Sequence, residues 1–207
     1  MRARNSTDGQ KRRSVIEDVR RAQIVESAVD VVAEVGYARA SLARIAERAG
    51  ISSKGVISYH FDGKDELFDQ IVAQIYERIT EFVVPHLDRE TTVVGRLGAR
   101  FRSIATYANA HRAEMVALTE ILSHLRDADG RLRYGDAFNE PYYQRLEETF
   151  RGGQESGELC SFDPRVMAVT VQAAIDSMIA YADTHPDHDV EAHGAELART
   201  FERAISR

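Results

Sequence analysis

The chain has 207 residues, is 43% hydrophobic and 29% charged. Those proportions suit a globular protein with a buried core, and no apolar run is long enough to cross a bilayer. A single cysteine, Cys160, excludes an intrachain disulfide and fits a reducing, cytoplasmic compartment. The net charge of −6 is unevenly spread: residues 1–64 hold 12 Lys+Arg against 8 Asp+Glu, and the remaining 143 hold 15 against 25. A basic first third on an acidic remainder points to an anionic polymer as the partner of one end only.

In chain order, residues 1–15 are basic and polar and lead into no apolar signal core, so they read as a disordered tail rather than an export signal. In RRAQIVESAVDVVAEVG, Ile24, Ala28, Val31, Val32 and Val35 recur at helical spacing, and Gly36 supplies a stop. Ser41 stands at an N-cap position before LARIAERAG, where Leu42, Ile45, Ala46 and Ala49 form one apolar face that Gly50 ends. A new helix starts at once, at Ser52-Ser53. Two short helices joined by a glycine turn are the sequence form of a helix-turn-helix, placed here within a three-helix domain over 16–64.

Past Asp62-Gly63-Lys64 the remainder, 65–207, opens on a long amphipathic helix. Leu67, Ile71, Ile75 and Ile79 recur every four residues. Further helices are predicted over 92–110, 112–126, 141–157, 164–183 and 189–206, with Pro164 in a first turn and Asp187 or Asp189 as a cap. Segment 127–140 reads as a loop with a short helix. The fold class is all-α: a helix-turn-helix domain followed by a larger helical domain.

The stretch AGISSKGVISYHF carries the chemistry. The second helix of a helix-turn-helix lies in the DNA major groove, and its leading residues reach base edges. Close approach needs small groups there. Ser52 and Ser53 offer caps and hydroxyls, Lys54 a charged donor, Gly55 backbone clearance, and Val56 a contact for a thymine methyl. Ser58 shares this polar side. Ile57 and Phe61 are four apart and point together into the core. That leaves Tyr59 and His60 on the rim, suited to phosphate oxygens. Lys64 and the cap residue Ser41 add a charge and a helix start near the backbone.

From RRAQIVESAVDVVAEVGYARASLARIAERAG through ISSKGVISYHFDGKDELF, the chain resembles the DNA-binding domain of TetR-family transcriptional regulators. The resemblance covers residues 20–68. ISSKG carries one serine more than the commoner VSKG form, which leaves open which serine faces the bases. The family implies a homodimer on a near-palindromic operator, released when a small molecule enters the C-terminal domain. Segments 164–183 and 189–206 are the candidate dimer helices, with Leu197, Phe201 and Ile205 along one stripe. Tyr107, His111, Met115, His124, Phe138, Tyr142, Tyr143, Phe150 and Met178 are candidate effector contacts, a mix of aromatic and polarizable groups. Neither a cofactor nor a metal is called for. The histidines of HPDHDVEAH (His185, His188, His193) read as a solvated turn, and Asp176 is expected to hydrogen-bond across helices.

Two other classes of function compete with this reading. An enzyme would need a nucleophile elbow, a zinc-binding His pair or a phosphate-cradling glycine loop, and none is in the sequence. A DNA-binding regulator acting without a ligand, or as an activator, remains open.

Overall fold

The computed structural model describes residues 5–207, with side chains from Glu17 onward apart from that of Asp136. Helix α1 spans Asn5–Val35. The expected disordered tail therefore lies outside the described residues only at 1–4, and from Asn5 it is helical. Extending a helix that is already nucleated adds one hydrogen bond per residue fixed.

At Gly36 the backbone reaches φ 78° and ψ 162°, a conformation open only to glycine, and a short 3-10 turn over Tyr37–Arg39 follows. Ser41 caps α2 (Leu42–Arg48) by accepting from the Arg44 N–H at 3.3 Å. Gly50 turns the chain at φ 62°. Helices α3 (Lys54–His60) and α4 (Gly63–Leu87) come next.

The later helices are α5 (Val93–Ala110), α6 (Arg112–His124), α7 (Asp136–Glu155), α8 (Pro164–Thr184) and α9 (Val190–Ile205). Thr92, Asp163 and Asp189 cap α5, α8 and α9 through side-chain oxygens, so Asp189 rather than Asp187 is the cap of the last helix. Segment 127–140 departs from expectation. A turn closed by Arg133 N–H to the Leu125 carbonyl and Asp127 N–H to the Arg131 carbonyl, both 2.9 Å, occupies its first part. Its second part belongs to α7, with Pro141 inside the helix instead of at its start.

The chain divides into two units, one holding the residues up to Gln74 with Val116–His124, the other Ile75–Met115 with Leu125–Arg207. The sequence places the boundary at 64/65, and this division falls within α4. The first turns of α4 belong to the N-terminal unit, where Leu67, Phe68, Ile71 and Val72 are buried together with Ala117, Leu118 and Ile121 of α6. In the second unit α5 packs along α9 and α7 along α8. Its main core gathers Leu97, Phe101, Phe150, Val171, Ile175, Phe201 and Ile205, with the rings of Phe101 and Phe201 4.9 Å apart. Gly194 lets α9 approach α5 closely: a Cβ there would lie 2.4 Å from Ala105 Cβ and 2.9 Å from the Phe101 carbonyl.

Candidate functional site

In the N-terminal unit α1, α2 and α3 pack on one another. Two contacts fix the angle of the turn. Ile51 N–H donates to the Ala46 carbonyl at 2.8 Å, and the Gln23 amide donates to the Ala49 carbonyl at 2.8 Å. Ser53 is the residue before α3, and Lys54 the first helical one. The expected serine cap is corrected here. The Ser53 side chain makes no cap hydrogen bond, so its hydroxyl is not committed to the helix end.

The side chains of α3 divide by face. Ile57 is 0% exposed and Phe61 2%, while Tyr59 is 75% exposed. Ser52, Ser53, Lys54, Gly55 and Ser58 are exposed, and Val56 and His60 half-buried. Ser58 Oγ donates to the Lys54 carbonyl at 3.3 Å, and Tyr59 meets the His60 ring edge-on at 5.1 Å. A Cβ on Gly55 would meet only Ser53 Oγ, at an ordinary 3.4 Å. Packing within the chain therefore does not demand glycine there, and its smallness is free to serve an approaching surface. The result is a rigid, small-residue helix end with an aromatic hydroxyl at its far edge.

Arg21 of α1 braces this helix from behind. Its guanidinium donates to the His60 carbonyl, lies 4.2 Å from the Phe61 ring centre and 3.6 Å from Glu66. Sequence reasoning passed over it, because only the fold brings residues 21 and 60 together. Lys64 was expected as a free charge beside DNA; instead its ammonium donates to the Tyr37 carbonyl at 2.9 Å and sits 4.4 Å and 4.9 Å from the Tyr37 and Phe68 ring centres. Burial lowers its pKa, with Asp65 opposing that shift.

Ser41 is exposed beside its cap bond. Two more exposed cations, Arg39 and Arg44, flank it. Arg39 donates to the Val35 carbonyl and Arg44 has no ion pair among the described residues, whereas Arg48 is held by Glu34 and Asp30. Their position around a helix N-cap was the available signal, and it was missed.

The nine candidate effector contacts divide between the two units. His124 lies in the N-terminal unit, its ring stacked 5.7 Å from Tyr37. In the second unit, Tyr107 stacks on His111 at 4.3 Å and donates to Glu114 at 2.6 Å, and Arg78 also donates to Glu114. Burial and the Glu114 carboxylate raise the Tyr107 pKa. Met115 is buried. Phe138 is partly exposed between Tyr76 and Tyr134, Tyr143 lies under Arg165, and Met178 is buried near Ala105 and Val190. Burial, with a contribution from Asp176, pushes Tyr76 up to about 12. Tyr142 and Phe150 share a cleft with Leu87, Val93, Leu97, Leu146 and three arginines. Asp176 accepts from Gln172 of its own helix at 2.8 Å, not from another helix as expected. His188 Nε2 lies 3.0 Å from His193 Nδ1, and Tyr181 stacks on His185 at 3.9 Å.

Residues 24–71 match the model of the bacterial regulatory proteins of the tetR family. An HTH-type transcriptional regulator of Chromohalobacter salexigens, BetI 1, is 42% identical over 60 residues, 29% of each chain. BetI of Yersinia pestis is 37% identical over 90 residues, 44% of each. The matched region thus spans less than half the length of these curated relatives. Among solved structures, the transcriptional regulator FadR of Bacillus subtilis, in complex with stearoyl-CoA, superposes with a TM-score of 0.71 at 19% identity, covering 89% of this chain and 98% of that one. At that identity the likeness is one of fold.

Proposed function

The chain belongs to the TetR family of bacterial regulatory proteins, and from that premise we propose that it is a DNA-binding transcriptional regulator, a repressor acting as a homodimer and released from a near-palindromic operator by a small-molecule effector. One observation carries the DNA-binding part. On α3, Ile57 and Phe61 are buried while Lys54, Gly55, Ser58 and Tyr59 face outward, so the helix is anchored by one side and presents small polar groups on the other. Ser53, Lys54, Gly55 and Val56 enter the major groove. Ser41, Arg44, Tyr59 and His60 hold phosphates, and Ser52 follows the turn. Lys64 holds the Tyr37 turn instead of reaching the duplex.

Dimerisation is supported by an apolar face on α8. Val166, Val169 and Tyr181 are 62%, 40% and 45% exposed, and Ala173 and Ala180 on the same helix are exposed as well. Beside them, Phe162, Met167, Phe201 and Ala204 line a shallow apolar depression. Exposed apolar area of this kind on two neighbouring helices is what a second copy covers. The two reading heads must then stand ~34–36 Å apart, or a multiple, to meet successive half-sites. An effector in the second unit biases α4, whose residues are shared between the two units, and so changes that spacing. FadR was solved with an acyl-CoA, which supports a small-molecule effector in this architecture.

The test is fluorescence anisotropy with a duplex that the protein itself selects from a random pool. Binding that weakens steeply with salt is expected, and no selectable duplex would remove the regulator reading.

A further inference from the structure

The cleft between the end of α4, the start of α5 and α7 is built unlike the other polar clusters of the second unit. It encloses about 110 Å³ and opens to solvent on one side. Leu87, Val93, Leu97, Leu146 and Phe150 make its walls apolar, and Arg96, Arg100 and Arg145 stand among them. Arg96 reaches Asp88 at 3.5 Å. Neither Arg100 nor Arg145 meets a carboxylate among the described residues; Arg100 lies over the Tyr142 ring at 5.1 Å. Tyr142 also lines the cleft, and its hydroxyl is buried with no hydrogen-bond partner in the protein. Burial raises the Tyr142 pKa, with Arg100 opposing that shift, and favours the neutral, donating form of the phenol.

A hydroxyl shut away without a partner costs free energy, and the half-buried Arg100 and exposed Arg145 at the rim of the apolar wall keep guanidinium donors that no carboxylate among the described residues takes up. The two deficits share one remedy. We infer that this cleft binds an amphiphilic anion, an apolar chain ending in a carboxylate or phosphate head, with the chain against Leu97, Leu146 and Phe150 and the head between Arg100 and Arg145. Arginine suits either head because its planar fork gives paired donors to two oxygens. The Tyr142 hydroxyl donates to the same head or to its ester oxygen. This rests on the effector reading above and names the chemical class that such an effector would have.

Titration calorimetry of the full chain with octanoate, octyl phosphate and octanol tests it. One or both anions bind, and the preferred one identifies the head; octanol binds at least tenfold more weakly, the scale of a charge-assisted pair. Arg100→Gln and Arg145→Gln each weaken anion binding about tenfold. Arg145 is exposed, so its variant folds even if that of Arg100 does not. Tyr142→Phe leaves the melting temperature unchanged or higher yet lowers affinity severalfold, which a purely structural tyrosine would not do. Octanol binding as tightly as the anions, indifference to both arginine changes, or no heat with either anion overturns the site. Adding the bound anion to the protein on its selected duplex separates the two claims. Arginine-dependent binding without any loss of DNA affinity keeps the cleft and removes the sensor reading.

Discussion

The backbone N–H of Tyr37 donates to the Glu120 carboxylate at 2.8 Å, across 83 residues of sequence, and the Tyr37 carbonyl in turn accepts the Lys64 ammonium. The turn after α1 is thus held on both sides, by α6 and by the start of α4. Gly36 just before it could not take a side chain: its backbone conformation is open only to glycine, and a Cβ would come within 3.2 Å of Glu120 Oε2. Glu120→Ala is expected to destabilise the protein by about 1–2 kcal/mol by leaving that N–H unpaired. Gly36→Ala costs a further ~1–3 kcal/mol of backbone strain. Urea melts of the two variants and of Glu120→Gln, which keeps an acceptor and is the mildest of the three, check this order.

The exposed face of α3 separates binding from folding. Lys54→Ala and Tyr59→Ala are expected to leave stability within about 0.5 kcal/mol of the parent and to weaken duplex binding. Lys54→Ala also flattens the plot of log affinity against log salt by about 0.9 for the phosphate contact it loses. Ile57→Ala, two residues before Tyr59 but on the buried face, behaves in the opposite way and loses about 2–5 kcal/mol of stability. Equal effects of Tyr59→Ala and Ile57→Ala on melting would contradict the division of faces.

His193 is held below the ordinary histidine range by burial and by the neighbouring His188, whose Nε2 it meets at 3.0 Å. A lowered value in the folded state means that folding favours the neutral ring. Its contribution is present in full above the unfolded value near 6.5 and is lost as pH falls through the lower folded value. Melting temperatures measured between pH 7.5 and 5 should decline less steeply for His193→Gln than for the parent. A parallel decline of both curves would show that other groups carry the acid sensitivity.

Gly194 sets the depth at which α9 meets α5. A methyl there would overlap Ala105 and the Phe101 carbonyl, and backbone atoms cannot swing aside as a long side chain does. Gly194→Ala is therefore expected to destabilise by about 1–3 kcal/mol despite the higher helix propensity of alanine. Gly98→Ala on α5 is the control. The atoms its methyl would meet are the far ends of Glu202 and Arg102, which can rotate away, so its cost is smaller.

If the apolar face of α8 is the dimer contact, a pair of charges placed on it acts on assembly alone. Val166→Asp with Val169→Asp is expected to convert a dimer to a monomer in light scattering, with helical content unchanged, since both side chains are exposed in the single chain. A parent that is monomeric at micromolar concentration would remove the proposed dimer.

The helix-turn-helix was legible in the sequence because its information is local. Apolar spacing selected Ile24, Ala28, Val32, Ile45 and Ile57 as core, and all are buried. Gly36 and Gly50 marked turns that require positive φ, and both adopt it. Capping likewise placed Ser41 at one helix start and Asp187 or Asp189 at another, and the oxygens of Ser41 and Asp189 each bond an N–H a turn ahead. Contacts between distant residues carry no such periodic mark, so only the tertiary structure could decide them. It turned Lys64 inward to Tyr37 and put His124 beside Tyr37. It scattered the remaining aromatic candidates among separate clusters, and it set Arg100 and Arg145 around the unpartnered hydroxyl of Tyr142. Helical period tells which side of a helix is buried, but which polar group waits there depends on how the helices pack.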